Sequence, residues 1–238
     1  MKKWLPAPAS LPEGLRVYAV GDIHGCSGPL AALLRAIVED LAADPPRSAQ
    51  VIHIGDCIDR GPDTAGVIET LMRPFPSVPC PVRVVTLLGN HEDMALAALA
   101  DPEMADIWLL NGGDASLASW GVSPAAHPSA WESAIPRAHL AFLHRLPLMH
   151  TAGGYLFVHA GLRPGVPLAE QSREGLLWIR KPFLSFEGVL PAVVVHGHTP
   201  AREPQARSNR IGIDTGACRG GPLTAVVLQA NRLRFLQR

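Results

Sequence analysis

An α/β fold is what this sequence predicts, and three observations predict it. Short β-branched runs alternate with stretches of helical periodicity. Most of those runs lack strict polar alternation, as strands buried on both faces do. Five of them end in a polar cluster rich in Asp, His and Gly. At 238 residues the chain has the length of one large domain, expected to span residues 1–238.

The first strand is LRVYAV (15–20), followed by Leu30, Leu33, Leu34, Ile37, Val38 and Leu41 at helical spacing. AQVIHI (49–54) is the second strand, Val67, Ile68, Leu71 and Met72 mark the second helix, and VRVVTLL (82–88) is the third strand. Together they read as βαβαβ. Asp22, Asp56 and Asn90 fall 34 residues apart, but the intervening segments share no pattern, and roughly 30 residues is what one strand and crossover helix require. Residues 93–150 are rich in helix formers, carry Trp108, Trp120 and Trp131, and contain a turn signal at NGGD (111–114), so a helical insertion is expected there. GYLFVH (154–159), AVVVH (192–196), RIGID (210–214), LTAVVL (223–228) and RLRFL (232–236) make the last third strand-rich.

Acidic and basic residues number 21 each, so the formal charge is zero and nothing marks a nucleic-acid footprint. Lysine is confined to Lys2, Lys3 and Lys181. Arginine is therefore the main cation, and its planar fork suits bidentate contact with phosphate. Cys26, Cys57, Cys80 and Cys218 include no CxxC pair, which indicates neither a zinc knuckle nor a disulfide framework. Pro6, Pro8 and Pro12 interrupt the opening segment, and no apolar run reaches about 18 residues. A cytoplasmic protein without a membrane partner is expected.

The polar clusters are GDIHG (21–25), GDCIDRG (55–61), GNHE (89–92), HAG (159–161) and HGHT (196–199). All follow strands, and ligands of open α/β sheets bind at C-terminal strand ends, so the five are expected on one rim. Asp, His and Asn donors without a thiolate pair favour Mn²⁺, Fe or Zn²⁺. Asp22 and His24, two apart on extended chain, would face the same way and grip one ion. Asp56 could bridge to a second, with Asn90, His159 and His198 around it. Two ions roughly 3.5–4 Å apart would clamp a phosphoryl oxygen and lower the pKa of a shared water. Neighbours on extended backbone point oppositely, so His91 would face away from the metals, toward substrate, as a general acid. Asp59 could orient that imidazole and favour its charged form, and Arg60 would hold the phosphate.

These five motifs, in this order over residues 21–220, resemble the phosphoprotein-phosphatase family of calcineurin-like metallophosphoesterases. WLLNGGD (108–114), LLWIRKPFL (176–184) and IDTGA (213–217) are similar to its bacterial and phage serine/threonine phosphatase branch, which is related to the diadenosine tetraphosphate hydrolases. The resemblance implies a sandwich of two mixed sheets flanked by helices. It implies Asp22, His24 and Asp56 on one metal, and Asp56, Asn90, His159 and His198 on the other. It implies His91 with Asp59 as the proton-donor pair, and Arg60, Asn90 and Arg180 on the phosphate. Mn²⁺ is the first expectation for both ions, with Fe, Zn or Ni as alternatives. Many phosphodiesterases of this superfold carry GHxH as the last motif; Pro200 stands at the fourth position here, which favours the phosphomonoester branch.

Other polar residues have plainer readings. His53 is expected as a core imidazole, His196 as a support behind the ligand His198, Cys57 as core packing, Glu92 as a helix-start or supporting residue, and Asp214 as structural support. Arg202, Arg207, Arg210 and Arg219 are expected to form a solvated basic edge. The leading functional expectation is hydrolysis of phosphoprotein (serine/threonine, with tyrosine as an alternative) or small phosphomonoesters, by direct attack of metal-bound water. A dinucleoside polyphosphate hydrolase is the second, and a non-catalytic phosphate-binding scaffold on the same fold is the third.

Overall fold

The computed structural model describes residues 3–238. Two strands and a helix open the chain: β1 (Leu5–Pro6), β2 (Leu15–Val20) and α1 (Ser27–Ala43), the last burying Leu30, Leu33, Ile37 and Leu41 along one stripe. Next come β3 (Ser48–His53), α2 (Thr64–Met72) and β4 (Val82–Thr86). The helical region holds α3 (Asn90–Ala100), α4 (Ala105–Trp108), α5 (Asp114–Ser119), α6 (Trp131–Ala134) and α7 (Arg137–Leu143). Then follow β5 (Met149–Ala152), β6 (Tyr155–Val158), α8 (Arg173–Trp178), β7 (Val193–His196), β8 (Gln205–Ala206), β9 (Arg210–Gly212), β10 (Thr224–Gln229) and β11 (Arg232–Gln237).

The strands form two mixed sheets, in the orders β1-β11-β10-β2-β3-β4 and β5-β6-β7-β9-β8. β2, β3 and β4 run parallel, as do β6, β7 and β9; the remaining pairings are antiparallel. Alternation along the strands explains the layering. Val17, Ala19, Ile52 and Val226 of the first sheet meet Tyr155, Phe157, Val195 and Ile211 of the second between the sheets. Tyr18, Val20 and Val51, on the opposite face, pack against α1, α2 and the helical region, where Trp108 and Trp131 are buried edge to face. A third cluster covers the outer face of the second sheet, with Leu156, Val158 and Val194 against Leu176, Ile179 and Phe183.

β1, β5 and β8 are strands that periodicity misses, two of them only two residues long and all carried by pairing with a neighbour. β4 departs from the expectation of burial on both faces: it is an edge strand with Val84 37% exposed. NGGD is a kink inside a helical run rather than a turn that ends it, because Gly112 adopts φ 101° and the chain continues into α5.

His53 is buried as expected, but only half satisfied. Its Nδ1 meets Thr86 Oγ1 at 3.1 Å, while Nε2 has no hydrogen-bond partner. Burial pushes its pKa down to about 4. A histidine held neutral in the fold and free to protonate when unfolded contributes stability that is complete above pH 6.5 and is lost as pH falls toward 4, on the order of 3 kcal/mol. Urea unfolding followed between pH 7 and 4 is expected to show a slope that His53→Leu reduces by about one proton; an unchanged slope would remove His53 from the account.

Candidate metal centre

The C-terminal ends of β2, β3 and β4 are tied together by their backbones. Ile23 and His24 both donate their N–H to Asp56 O, at 2.9 and 2.8 Å, and Gly25 N–H donates to Cys57 O at 2.9 Å. The chain between Asp22 and His24 is not extended, contrary to expectation: His24 has φ 46°. Among the described residues six non-glycines have positive φ, and His24, Asp56, Asp59, Arg60 and His198 are five of them. Left-handed backbone costs a non-glycine residue about 1–3 kcal/mol, and its concentration here marks a functional constraint. The loops also approach closely. A Cβ on Gly197 would lie 2.0 Å from Asp22 Oδ1, so only glycine allows that carboxylate to reach the second sheet.

Glu92 locks the arrangement. Fully buried, its carboxylate accepts the backbone N–H groups of Asp56 (2.9 Å), Cys57 (2.6 Å), Ile58 (3.2 Å) and Gly89 (2.8 Å). This is the supporting role expected for it. Glu92→Gln would set an NH₂ against two of those donors and strand at least two buried N–H groups, at about 1–3 kcal/mol each. Thermal unfolding is expected to register a loss of roughly 2–5 kcal/mol; a variant as stable as the parent would rule this role out.

Asn90 and His91 do not lie on extended backbone. They are the first two residues of α3, with Gly89 as its N-cap. Successive helical residues are rotated by roughly 100° rather than 180°, so both side chains enter the same cleft. The His91 ring sits edge-on to His24 with centroids 4.6 Å apart, and its Nε2 is 3.9 Å from Asp56 Oδ2. Its Nδ1 is 2.7 Å from Asp59 Oδ2, which is the predicted pairing.

The ligand chemistry is carried by tautomers. His159 turns Nδ1 to the carbonyl of Ile54 at 3.0 Å, and a carbonyl can only accept, so Nδ1 carries the proton and Nε2 is bare. His198 rests on the Trp178 backbone, which favours its protonated form, yet burial still holds its pKa down at about 2. His159 is likewise neutral, pushed down to about 3 by burial. The free nitrogens of both rings face Asn90 Oδ1, at 2.8 and 2.9 Å, and His159 Nε2 is 3.3 Å from Asp56 Oδ1. A cation among these bare nitrogens and oxygens would be bound by all of them at once. His24 repeats the pattern, with Nδ1 on Ile58 O at 2.9 Å and Nε2 3.5 Å from Asp56 Oδ2. Backbone carbonyls that fix the imidazole tautomer are the usual support of metal-binding histidines.

Two trios therefore converge, His24–Asp56–His91 and Asp56–His159–His198, and they share Asp56. That sharing fits a bridged pair of ions. His91 appears in the first trio where Asp22 was expected. Asp22 lies alongside, its carboxylate accepting the His198 N–H at 3.0 Å. Burial, then Asp214 and Asp56, push the Asp22 pKa well up, and burial raises Asp56 and Asp214 too. Crowded carboxyls that resist ionisation, beside imidazoles that resist protonation, make an environment short of positive charge, which divalent cations would relieve. The residues fit such ions.

Sequence reasoning missed the floor of the site. Asp59, wholly buried, accepts from Trp108 Nε1 at 2.9 Å and Ser116 Oγ at 2.6 Å as well as facing His91. Burial raises its pKa to about 7 against those donors. The helical region thus builds part of the site, and WLLNGGD was the only signal for it. Arg60, on the rim, brings Nη1 within 2.8 Å of His24 Nε2, and its N–H donates to Gly112 O at 3.0 Å. Arg180 lies further out, on a groove that also reaches His198. Cys57 is a core residue, as expected, His196 is buried with its ring edge-on to Phe183, and Asp214 supports a turn by accepting the Gly216 N–H. Arg210 is a correction: it is 4% exposed, donates to Phe186 O and Leu184 O, and straps the second sheet rather than forming a solvated edge.

Two facing mixed sheets with a shared-carboxylate metal cage at their strand ends define a metallophosphoesterase. The chain belongs to the calcineurin-like phosphoesterase family, which it matches over residues 15–233. It is 32% identical over 220 residues to serine/threonine-protein phosphatase 1 of Salmonella typhimurium, covering 90% of this chain and 92% of that one. A symmetrical bis(5'-nucleosyl)-tetraphosphatase of Methylococcus capsulatus is 30% identical over 154 residues, 63% of this chain and 44% of its own. A crystal structure provisionally described as a diadenosine tetraphosphatase superposes with a TM-score of 0.66 at 26% identity, covering 98% of this chain and 96% of that one. The family's dinuclear divalent centre and hydrolase chemistry accord with the donor set. No helix among the described residues is long and apolar enough to cross a membrane.

Proposed function

We propose that the chain is a metal-dependent phosphomonoesterase acting on phosphoprotein, on serine or threonine ahead of tyrosine, or on small phosphomonoesters. The observation that carries this reading is the pair of His/Asp trios that share Asp56, with bare nitrogens of His159 and His198 turned to Asn90 Oδ1 and the His91–Asp59 pair beside them. Asp22, His24 and Asp56 would hold one ion, and Asp56, Asn90, His159 and His198 the other, with Mn²⁺ expected first. Bound there, the two cations supply Lewis-acid charge for the phosphoryl oxygens and an activated water.

The chain's own residues do the rest. Arg60 and Arg180 hold the phosphate from the rim, joined by the Asn90 amide. Water displaces the alcohol in line, without a phosphoenzyme. His91 gives the Nε2 proton to the departing oxygen, while Asp59 keeps the ring oriented and stabilises its charged form. Trp108 and Ser116 keep Asp59 in place.

The Methylococcus relative supports a second reading, hydrolysis of a dinucleoside polyphosphate at the same centre. A matrix of Mn²⁺, Fe²⁺, Zn²⁺ and Ni²⁺ against phosphopeptides, p-nitrophenyl phosphate and diadenosine tetraphosphate separates the two. Turnover of the monoesters is expected, with Mn²⁺ best. Strong preference for the dinucleotide would overturn the first reading, and inactivity with every metal would favour the scaffold.

A further inference from the structure

A groove of about 540 Å³ runs from His198 outward, lined by Arg163, Arg180 and Lys181 together with Trp178, Glu174 and Asn111. Its charge is uneven. Three cations face one carboxylate, on a chain whose formal charge is zero. None of the three forms an ion pair among the described residues, although other exposed arginines do: Arg173 with Asp93, Arg73 with Glu69 and Arg207 with Glu187. Unpaired like charges around one concavity raise the local potential and select anionic ligands.

Arg180 is accounted for by the scissile phosphate. Arg163 and Lys181 are not, and both are exposed. The walls carry apolar surface as well. Trp178 is 40% exposed with its ring edge-on to His198. A large apolar side chain held in water at the rim of a charged groove fits a partner that carries both kinds of group.

We propose that this groove reads the residues flanking the phosphosite, and that the preferred substrate is a phosphopeptide with acidic neighbours, its carboxylates taken by Arg163 and Lys181 and an apolar neighbour resting on Trp178. The proposal rests on the phosphomonoesterase reading. It also accounts for arginine and lysine on one groove wall: a fork and a mobile point charge together accept carboxylates at more than one spacing.

The test uses two phosphoserine peptides of equal length, one with Asp and Glu flanks and one with Lys and Arg flanks, each normalised to p-nitrophenyl phosphate. The wild type is expected to prefer the acidic peptide by about tenfold or more in kcat/KM, a gap that shrinks as salt rises. Arg163→Glu with Lys181→Glu is expected to erase or invert that ratio. Equal turnover of the two peptides by wild type, a ratio untouched by charge reversal, or far better turnover of a nucleoside polyphosphate than of either peptide would each overturn the proposal. Anisotropy of labelled peptides bearing a non-hydrolysable phosphonate measures the same preference as Kd without turnover. Failure of the catalytic reading therefore shows as inactivity with a preserved binding preference, and failure of the groove proposal shows as a lost preference.

Discussion

Asp56→Asn is expected to reduce kcat on p-nitrophenyl phosphate by more than about 10³-fold, some 4 kcal/mol of barrier, because one carboxylate serves both halves of the centre. Asp56 is the only residue common to the two converging trios. An amide in its place offers one oxygen and no charge, so metal content by plasma spectrometry should fall from two ions per chain to one or none. The variant should still fold. Asn tolerates the left-handed backbone that Asp56 adopts at φ 51°, and its oxygen can keep the His91 N–H that Asp56 Oδ1 accepts at 3.1 Å. The metal-free melting temperature should hold or rise, since a carboxyl is removed from a group that repels Asp22 and Glu92. Asp56→Ala, by contrast, should lower it through backbone strain. Full activity in an Asp56→Asn protein shown to be free of metal would end the proposed mechanism.

The donors were legible in sequence because each sits at the end of an apolar run, and a strand end is a place the pattern fixes. Their directions were not. Opposite faces for Asn90 and His91 require both on extended chain; α3 already begins at Asn90, two residues earlier than that logic allows, since Gly89 caps it and Glu92 holds the cap. The contact that prevails there is Glu92 with the distant β3 loop, which no local propensity encodes. The same limit hid Trp108 and Ser116, whose claim on Asp59 depends on a helical region folding back across the first sheet. Arg210 looked like surface because arginine is exposed by habit, and only the carbonyls of Leu184 and Phe186 reveal it as a strap.

His91→Asn is expected to cost about 10²–10⁴-fold in kcat on a phosphoserine peptide, the usual worth of a positioned acid. On p-nitrophenyl phosphate, whose phenolate departs without a proton, the loss should be tenfold or less. That contrast decides between two roles the geometry leaves to His91, which faces Asp59 at 2.7 Å through Nδ1 and Asp56 at 3.9 Å through Nε2. A ligand's removal would lower metal content and slow both substrates alike. An acid's removal would spare the metal and spare the good leaving group. The pH profile adds an independent sign. A general acid works protonated, so turnover of the phosphoserine peptide should fall as pH rises through the His91 pKa. Burial sets that pKa below the ordinary histidine value, and Asp56 partly restores it. The variant should lose this descending limb. Asp59→Asn should move it toward lower pH, because the carboxylate that favours imidazolium is gone while the ring stays in place. If the His91→Asn profile keeps the limb, the proton comes from elsewhere, and His91 belongs with His24 and Asp56 as a ligand.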